Sequence, residues 1–125
     1  MAKSVYHLNP GFEKKFAAAC AVSSGGFLFV MGLTPGSNAE NLNMSEQVKK
    51  TYENIKTVLD AHKINFGQVV QERVYATNIE EFFQAAEIRT GVYEGFSPPA
   101  TTWVEVERLL DPAYKVEIEI VASLT

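Results

Sequence analysis

Lys115-Val116-Glu117-Ile118-Glu119-Ile120 sets the architecture of this chain. Val116, Ile118 and Ile120 alternate with Lys115, Glu117 and Glu119, the period-two pattern of a strand with one buried face. Just upstream, Trp103-Val104-Glu105-Val106-Glu107 repeats the pattern, and Asp111-Pro112 lies between the two runs. Between residues 44 and 62 the period changes. Met44, Val48, Tyr52, Ile55, Leu59 and His62 recur at three- and four-residue spacings, which predicts an amphipathic helix. Residues 69–76 read as a strand, with Val70, Val74 and Ala76 set against Gln71, Arg73 and Tyr75. Asn78 then opens a second helical pattern, capping its first N–H groups with Glu81 three positions on. That helix carries Phe82, Phe83, Ala86 and Val92 and stops before Ser97-Pro98-Pro99.

Toward the front, residues 16–22 and 27–31 are β-prone runs separated by Ser23-Ser24-Gly25-Gly26, which predicts an antiparallel hairpin. A weaker strand is expected over residues 5–8, and Pro35-Gly36-Ser37-Asn38 marks a loop. The economical packing of these elements is an α+β fold: a single mixed β-sheet with two helices packed on one face. One domain over residues 1–125 accounts for the whole pattern, without internal repeats or linkers.

Composition narrows the function classes. Of 125 residues, 46% are hydrophobic and 21% charged, with eight Gly and five Pro, which excludes disordered and collagen-like chains. The longest apolar runs are too short to span a bilayer, and the first residues lack the apolar core of a secretory signal. Cys20 is the only cysteine, which excludes an internal disulfide framework and fits a reducing compartment, so a soluble cytoplasmic protein is expected. Eleven Lys and Arg against fifteen Asp and Glu give a net charge of −4, with the basic residues scattered. Nucleic acid is therefore a disfavoured partner, since phosphate binding draws on a basic patch.

Standard chemical motifs are missing from the sequence. Cys20 lies in an apolar run and reads as a small buried hydrophobe. His7 and His62 have no ligand partners at metal-binding spacing, and no helix follows Gly25-Gly26 to make a phosphate loop, so neither metal nor cofactor is expected. His62 closes the apolar stripe, where it can cap helix carbonyls. Glu105, Glu107, Glu117 and Glu119 populate one side of what would be neighbouring strands. Either they keep an exposed face soluble, or part of that face is covered and some of them meet cations or a pocket.

Several segments, in order, resemble one family. Phe29-Val30-Met31-Gly32-Leu33-Thr34-Pro35 resembles its strand that ends in a glycine and turns at a proline. Asn54-Ile55-Lys56-Thr57-Val58-Leu59 and Val74-Tyr75-Ala76-Thr77-Asn78-Ile79-Glu80-Glu81-Phe82 resemble its first helix and the entry to its second. Pro99-Ala100-Thr101-Thr102-Trp103-Val104-Glu105-Val106 and Val116-Glu117-Ile118-Glu119 resemble its ending, from about residue 16 to the C-terminus overall. The family is the Rid family, the reactive intermediate deaminases or YjgF-like proteins. The resemblance implies a chorismate-mutase-like subunit, a homotrimer, and ligand sites in the clefts between subunits. It also implies hydrolysis of enamines or imines to a carbonyl compound and ammonia. In the family an arginine anchors the substrate carboxylate, aided by a backbone N–H near the strand-ending glycine, while a glutamate holds the attacking water.

Position by position, Gly32 matches that glycine and Glu117 that glutamate. The arginine position is Thr101, so this chain resembles an arginine-less subgroup, and the family cysteine two residues on is Trp103. An asparagine and a tyrosine of the family align with Ala86 and Ala18. A neutral hydroxyl cannot replace a charged fork, so the substrate is expected to differ from simple aminoacrylate. The expected reading is an enamine or imine deaminase with Glu117 as catalytic base or water anchor and Gly32, Thr101 and Trp103 binding substrate. Trp103 would stack on a flat ligand or pack at the trimer interface; Glu117 would act as base or pair with Lys115, Arg73 or a neighbouring subunit. The alternative is a non-catalytic trimer binding a small metabolite or protein partner in the same clefts, and a ribonuclease is a third reading.

Overall fold

The computed structural model describes residues 3–125. Strands β1 (Ser4–Tyr6), β2 (Ala21–Ser24), β3 (Phe27–Leu33), β4 (Val69–Ala76), β5 (Ala100–Glu105) and β6 (Val116–Ser123) form one sheet, in the order β1-β2-β3-β6-β4-β5. Helix α1 (Pro10–Lys15) lies in the β1–β2 connection, α2 (Met44–Ala61) follows β3, and α3 (Ile79–Gln84) and α4 (Ala86–Tyr93) join β4 to β5. Only β4–β5 is a parallel pair, which is why a helical crossover separates them. Helices α2 to α4 pack on one face of the sheet, giving the expected mixed α+β architecture.

The last strand organises the core. Val116, Ile118, Ile120 and Ala122 are buried beneath α2, whose Val48, Tyr52, Ile55 and Leu59 meet them as the helical stripe predicts. Each such side chain contributes about 1.5–3 kcal/mol on burial. Asn43 and Glu46 close a reciprocal capping box at the start of α2, at 2.9 and 3.0 Å. Buried Gln47 donates to the Ala113 carbonyl at 2.9 Å and accepts from the Lys115 N–H at 2.7 Å, tying α2 to the start of β6. His62 caps α2, with its Nδ1 2.7 Å from the Val58 carbonyl.

Four expectations need correction. Residues 16–22 are not one strand: α1 takes Phe16 as its C-cap, Ala17 turns left-handed at φ 54°, and β2 starts at Ala21. Pro10 pre-sets the first turn of α1, and buried Glu13 fixes it by accepting from the Asn9 N–H at 2.8 Å and pairing with His7 at 2.7 Å. The hairpin itself forms, because Gly25 and Gly26 supply consecutive positive φ values of 60° and 83°. The second helical segment is two helices, broken at Ala85, though Asn78 caps it as predicted by accepting from the Glu81 N–H at 3.1 Å. In β4 the ladder shifts between Val69 and Gln71, leaving Val70 45% exposed while Glu72 is fully buried. Finally, β4 separates β5 from β6, so the four glutamates are not on adjacent strands. Glu105 instead accepts from the Ile79 N–H at 3.1 Å, at the start of α3, and Glu107 lies beyond β5.

Candidate functional site

The predicted site residues fall into two groups, one on each face of the sheet. Gly32 and Glu117 meet on the face away from α2. The β3–β6 register breaks between Val30 and Leu33, and Gly32 lies in that break beside the carboxylate of Glu117. A Cβ at position 32 would collide with that side chain, 2.7 Å from Cδ and 2.8 Å from Cγ. Glycine is thus required by space, not by φ. Both residues line a cavity of about 520 Å³, with Leu8, Phe12, Thr34 and Tyr114 among its other walls.

Electrostatics separate Glu117 from its strand neighbour. Glu119 accepts a hydrogen bond from the Tyr75 hydroxyl at 2.5 Å and sits 3.7 Å from Arg73 Nη1. That bond holds the Tyr75 proton and pushes its hydroxyl above the ordinary phenol value. Arg73 therefore serves Glu119, not Glu117. Burial, and secondly the nearby Glu119 charge, push Glu117 above the ordinary carboxylate value, and among the described residues no hydrogen bond or cation offsets the shift. Such a carboxylate can take a proton from water near neutrality more readily than a stabilised one.

Thr101 and Trp103 lie on the helix face of β5, opposite Glu72 and Val74 in the parallel ladder. The Trp103 indole N–H donates to Thr101 Oγ1 at 2.8 Å, and the Thr101 hydroxyl donates to Glu72 Oε1 at 2.7 Å. Arg89 Nε donates to the same oxygen at 2.6 Å, while the Tyr52 and Tyr93 hydroxyls donate to Oε2 at 2.8 and 2.9 Å. Four donors thus hold one buried carboxylate. Burial, then the Glu72 charge, push the phenols of Tyr52 and Tyr93 up, so both remain protonated donors. Burial works against the Arg89 charge, but its hydrogen bond to Glu72 and that residue's charge outweigh it and hold the guanidinium above its ordinary value. The guanidinium lies 4.9 Å from the Tyr93 ring centre and 5.5 Å from that of Trp103, within cation–π range.

Sequence reasoning missed Glu72 and Arg89, although both carried a signal. Glu72 shares strand parity with Val74 and Ala76, and Arg89 stands seven residues after Phe82 on the helical stripe that reaches Tyr93. A charge on each of two apolar faces is the mark of a buried pair. Ala86 begins α4, one turn before Arg89, and Ala18 lies between α1 and β2. Cys20 is fully buried, and burial pushes its thiol up to about 11, so it is no nucleophile at neutral pH. Among the described residues, no cluster of three or more His, Cys, Asp or Glu is placed to hold a metal ion, and no helix is long and apolar enough to cross a membrane.

Comparison with known proteins agrees with this fold. Residues 9–124 match the Endoribonuclease L-PSP family. A RutC family protein of Pyrococcus horikoshii is 32% identical over 107 residues, covering 82% of either chain. The crystal structure of Rv2704 from Mycobacterium tuberculosis, of the YjgF/YER057c/UK114 family, superposes with a TM-score of 0.85 at 26% identity, covering 98% of this chain and 99% of that one. Escherichia coli TdcF, solved with bound serine, shares the fold with a TM-score of 0.77 at 23% identity, covering 84% of this chain and 86% of its own. Sequence and fold together show that this chain belongs to the Endoribonuclease L-PSP family, the YjgF-like or Rid proteins.

Proposed function

We propose that the chain forms a homotrimer that hydrolyses a small enamine or imine to a carbonyl compound and ammonia. The observation that carries this reading is Glu117: a partly buried, proton-seeking carboxylate lining a 520 Å³ cavity beside Gly32. Water adds to the imine carbon while Glu117 takes one of its protons, and the nitrogen takes a proton from solvent as the C–O bond forms. The carbinolamine then collapses: the C–N bond breaks as Glu117 returns its proton to the departing nitrogen, which leaves as ammonia, and the hydroxyl gives its proton to solvent as the carbonyl forms. The backbone near Gly32 would orient the substrate.

The trimer resolves the split between the two residue groups. Gly32 and Glu117 on one face of a subunit would meet Thr101 and Trp103 from the helix face of the next, building the pocket in a cleft. Phe27 and Phe29, 42% and 47% exposed on β3, supply apolar surface for that contact. The serine held by TdcF supports a ligand of amino-acid size. Without an arginine at position 101, a conjugated substrate such as an aminomuconate-like amino acid fits better than aminoacrylate.

One observation favours the rival reading, a non-catalytic trimer that binds a metabolite or protein partner. The protons of Thr101 and Trp103 are already engaged inside the subunit. A ribonuclease reading suits the family's descriptor, but the net charge of −4 weighs against RNA binding. The test generates 2-aminoacrylate and larger conjugated imines in situ and follows carbonyl release with purified protein, alongside sedimentation for subunit number. Acceleration abolished by Glu117→Gln is expected. An activity unchanged by the substitution overturns the role of Glu117, and no acceleration with any imine overturns the enzyme reading.

A further inference from the structure

Arg89 is clamped on one side, yet its bonding is incomplete. Glu72 grips Nε, the Tyr93 and Trp103 rings flank the guanidinium, and the side chain is only 12% exposed. Its Nη2 is buried and has no hydrogen-bond partner among the described residues. Leaving a buried cationic N–H without an acceptor is costly, so a site of this kind calls for an acceptor from outside the subunit. Arg89 and Tyr93 also line a cavity of about 560 Å³ with Glu87, Thr90, Glu94 and Pro98.

We propose that Arg89, clamped by Glu72, anchors a planar monocarboxylate ligand at the β5 edge, supplying the charged fork that Thr101 lacks. Its free Nη edge matches a carboxylate in width and plane. Glu72 already partners the guanidinium, and Glu87 and Glu94 rim the cavity, so a dianion such as a phosphate ester meets more repulsion than a carboxylate does. The aromatic rings beside the guanidinium suit a flat, conjugated acid. The three other donors on Glu72, from Tyr52, Tyr93 and Thr101, thereby have a purpose: they fix the carboxylate that fixes the arginine. The anchor's place in the reaction rests on the imine-hydrolase reading; ligand binding at Arg89 does not.

Trp103, the chain's only tryptophan, lies 5.5 Å from the guanidinium and serves as a fluorescent reporter. Benzoate, its neutral isostere benzamide, and phenyl phosphate are titrated against wild type and against Arg89→Lys, which keeps the positive charge beside Glu72 but loses the fork. Arg89→Gln is run in parallel, with thermal melts to establish folding. Benzoate should change the emission, benzamide should not, and phenyl phosphate should bind more weakly than benzoate. Folded Arg89→Lys should weaken benzoate by about ten- to a hundredfold, as expected for losing charge-assisted hydrogen bonds.

Equal binding of benzoate and benzamide, no response to benzoate, tighter binding of phenyl phosphate, or unchanged affinity in Arg89→Lys each overturns the proposal. The imine assay separates the two readings. A carboxylate-bearing imine hydrolysed with the same KM by wild type and Arg89→Lys removes the anchor and keeps the enzyme. Benzoate binding that depends on Arg89, in a protein that hydrolyses no imine, keeps the anchor and removes the enzyme.

Discussion

Glu72 and Glu117 stand on β4 and β6, strands that pair directly, and they face opposite sides of the sheet. Glu72 is fully buried and accepts from Arg89, Thr101, Tyr52 and Tyr93. Glu117 is less buried, faces a cavity, and has only a like charge nearby to influence it. A carboxylate surrounded by donors has nothing left to exchange with a substrate, and its work is to hold neighbours in place. One without donors retains a proton affinity that chemistry can use. Depth alone would single out Glu72; the count of donors is what distinguishes it from Glu117, the carboxylate proposed as the base.

Substitutions at the two carboxylates sharpen this contrast, with the largest effect expected at Glu117. Glu117→Gln should slow imine hydrolysis by about 10²- to 10⁴-fold, the range for losing a general base, measured as kcat at neutral pH. The wild-type rate should rise with pH through a value above 4.5, the direction set by burial and Glu119. Stability should move the opposite way. A carboxyl whose folded pKa is raised carries no penalty below its unfolded value and the full penalty above its folded one. Glu117→Gln should therefore raise Tm at pH 7, with the gain vanishing below about pH 4.5. A Tm that falls at neutral pH would mean that Glu117 has a stabilising partner after all.

Glu72→Leu should cost about 3–5 kcal/mol by leaving Arg89 buried and unpaired, and should lower Tm accordingly. A melt within a degree or two of wild type would break the comparison, because Glu72 would then not be structural. Gly32→Ala should reduce kcat by about 100-fold, since its Cβ pushes the Glu117 carboxylate out of place. The fold should survive, as shown by an unchanged far-ultraviolet spectrum, because a side chain and not backbone has to move. Thr101→Val removes one of four donors to Glu72 and should cost only about 1 kcal/mol in denaturant unfolding.

Much of the fold was legible because apolar side chains announce their own burial. The alternation of Val116, Ile118 and Ile120 and the stripe through Val48, Tyr52, Ile55 and Leu59 survive intact in the core. The legible failures share a cause: a local backbone event interrupted a period. Pro10 and Glu13 nucleate a helix that takes Phe16 from the expected strand. The irregularity after Val69 turns Val70 outward. Gly32 and Glu117, far apart in sequence, do meet. The Glu72–Arg89 pair was hidden because both residues read as solvated charges until β4 and α4 were brought together. Thr101 and Trp103 read as substrate-binding groups, whereas the structure links the Trp103 N–H to the Thr101 hydroxyl and that hydroxyl to Glu72.

The strand order also has a consequence for how the molecule forms. β6, made last of the six, lies at the centre, between β3 and β4. Until it emerges from the ribosome, β1–β3 and β4–β5 are separate pieces, each with an open hydrogen-bonding edge. Folding must therefore wait for nearly the whole chain, and its nucleus must close long loops, which slows the search. During synthesis the edge of β3 that β6 will cover lies open, on a strand apolar at nearly every position, as a template for other chains. A ribosome stalled before residue 116 would hold a nascent protein that cannot finish its sheet, and chaperone demand should end once residues 116–123 clear the exit tunnel.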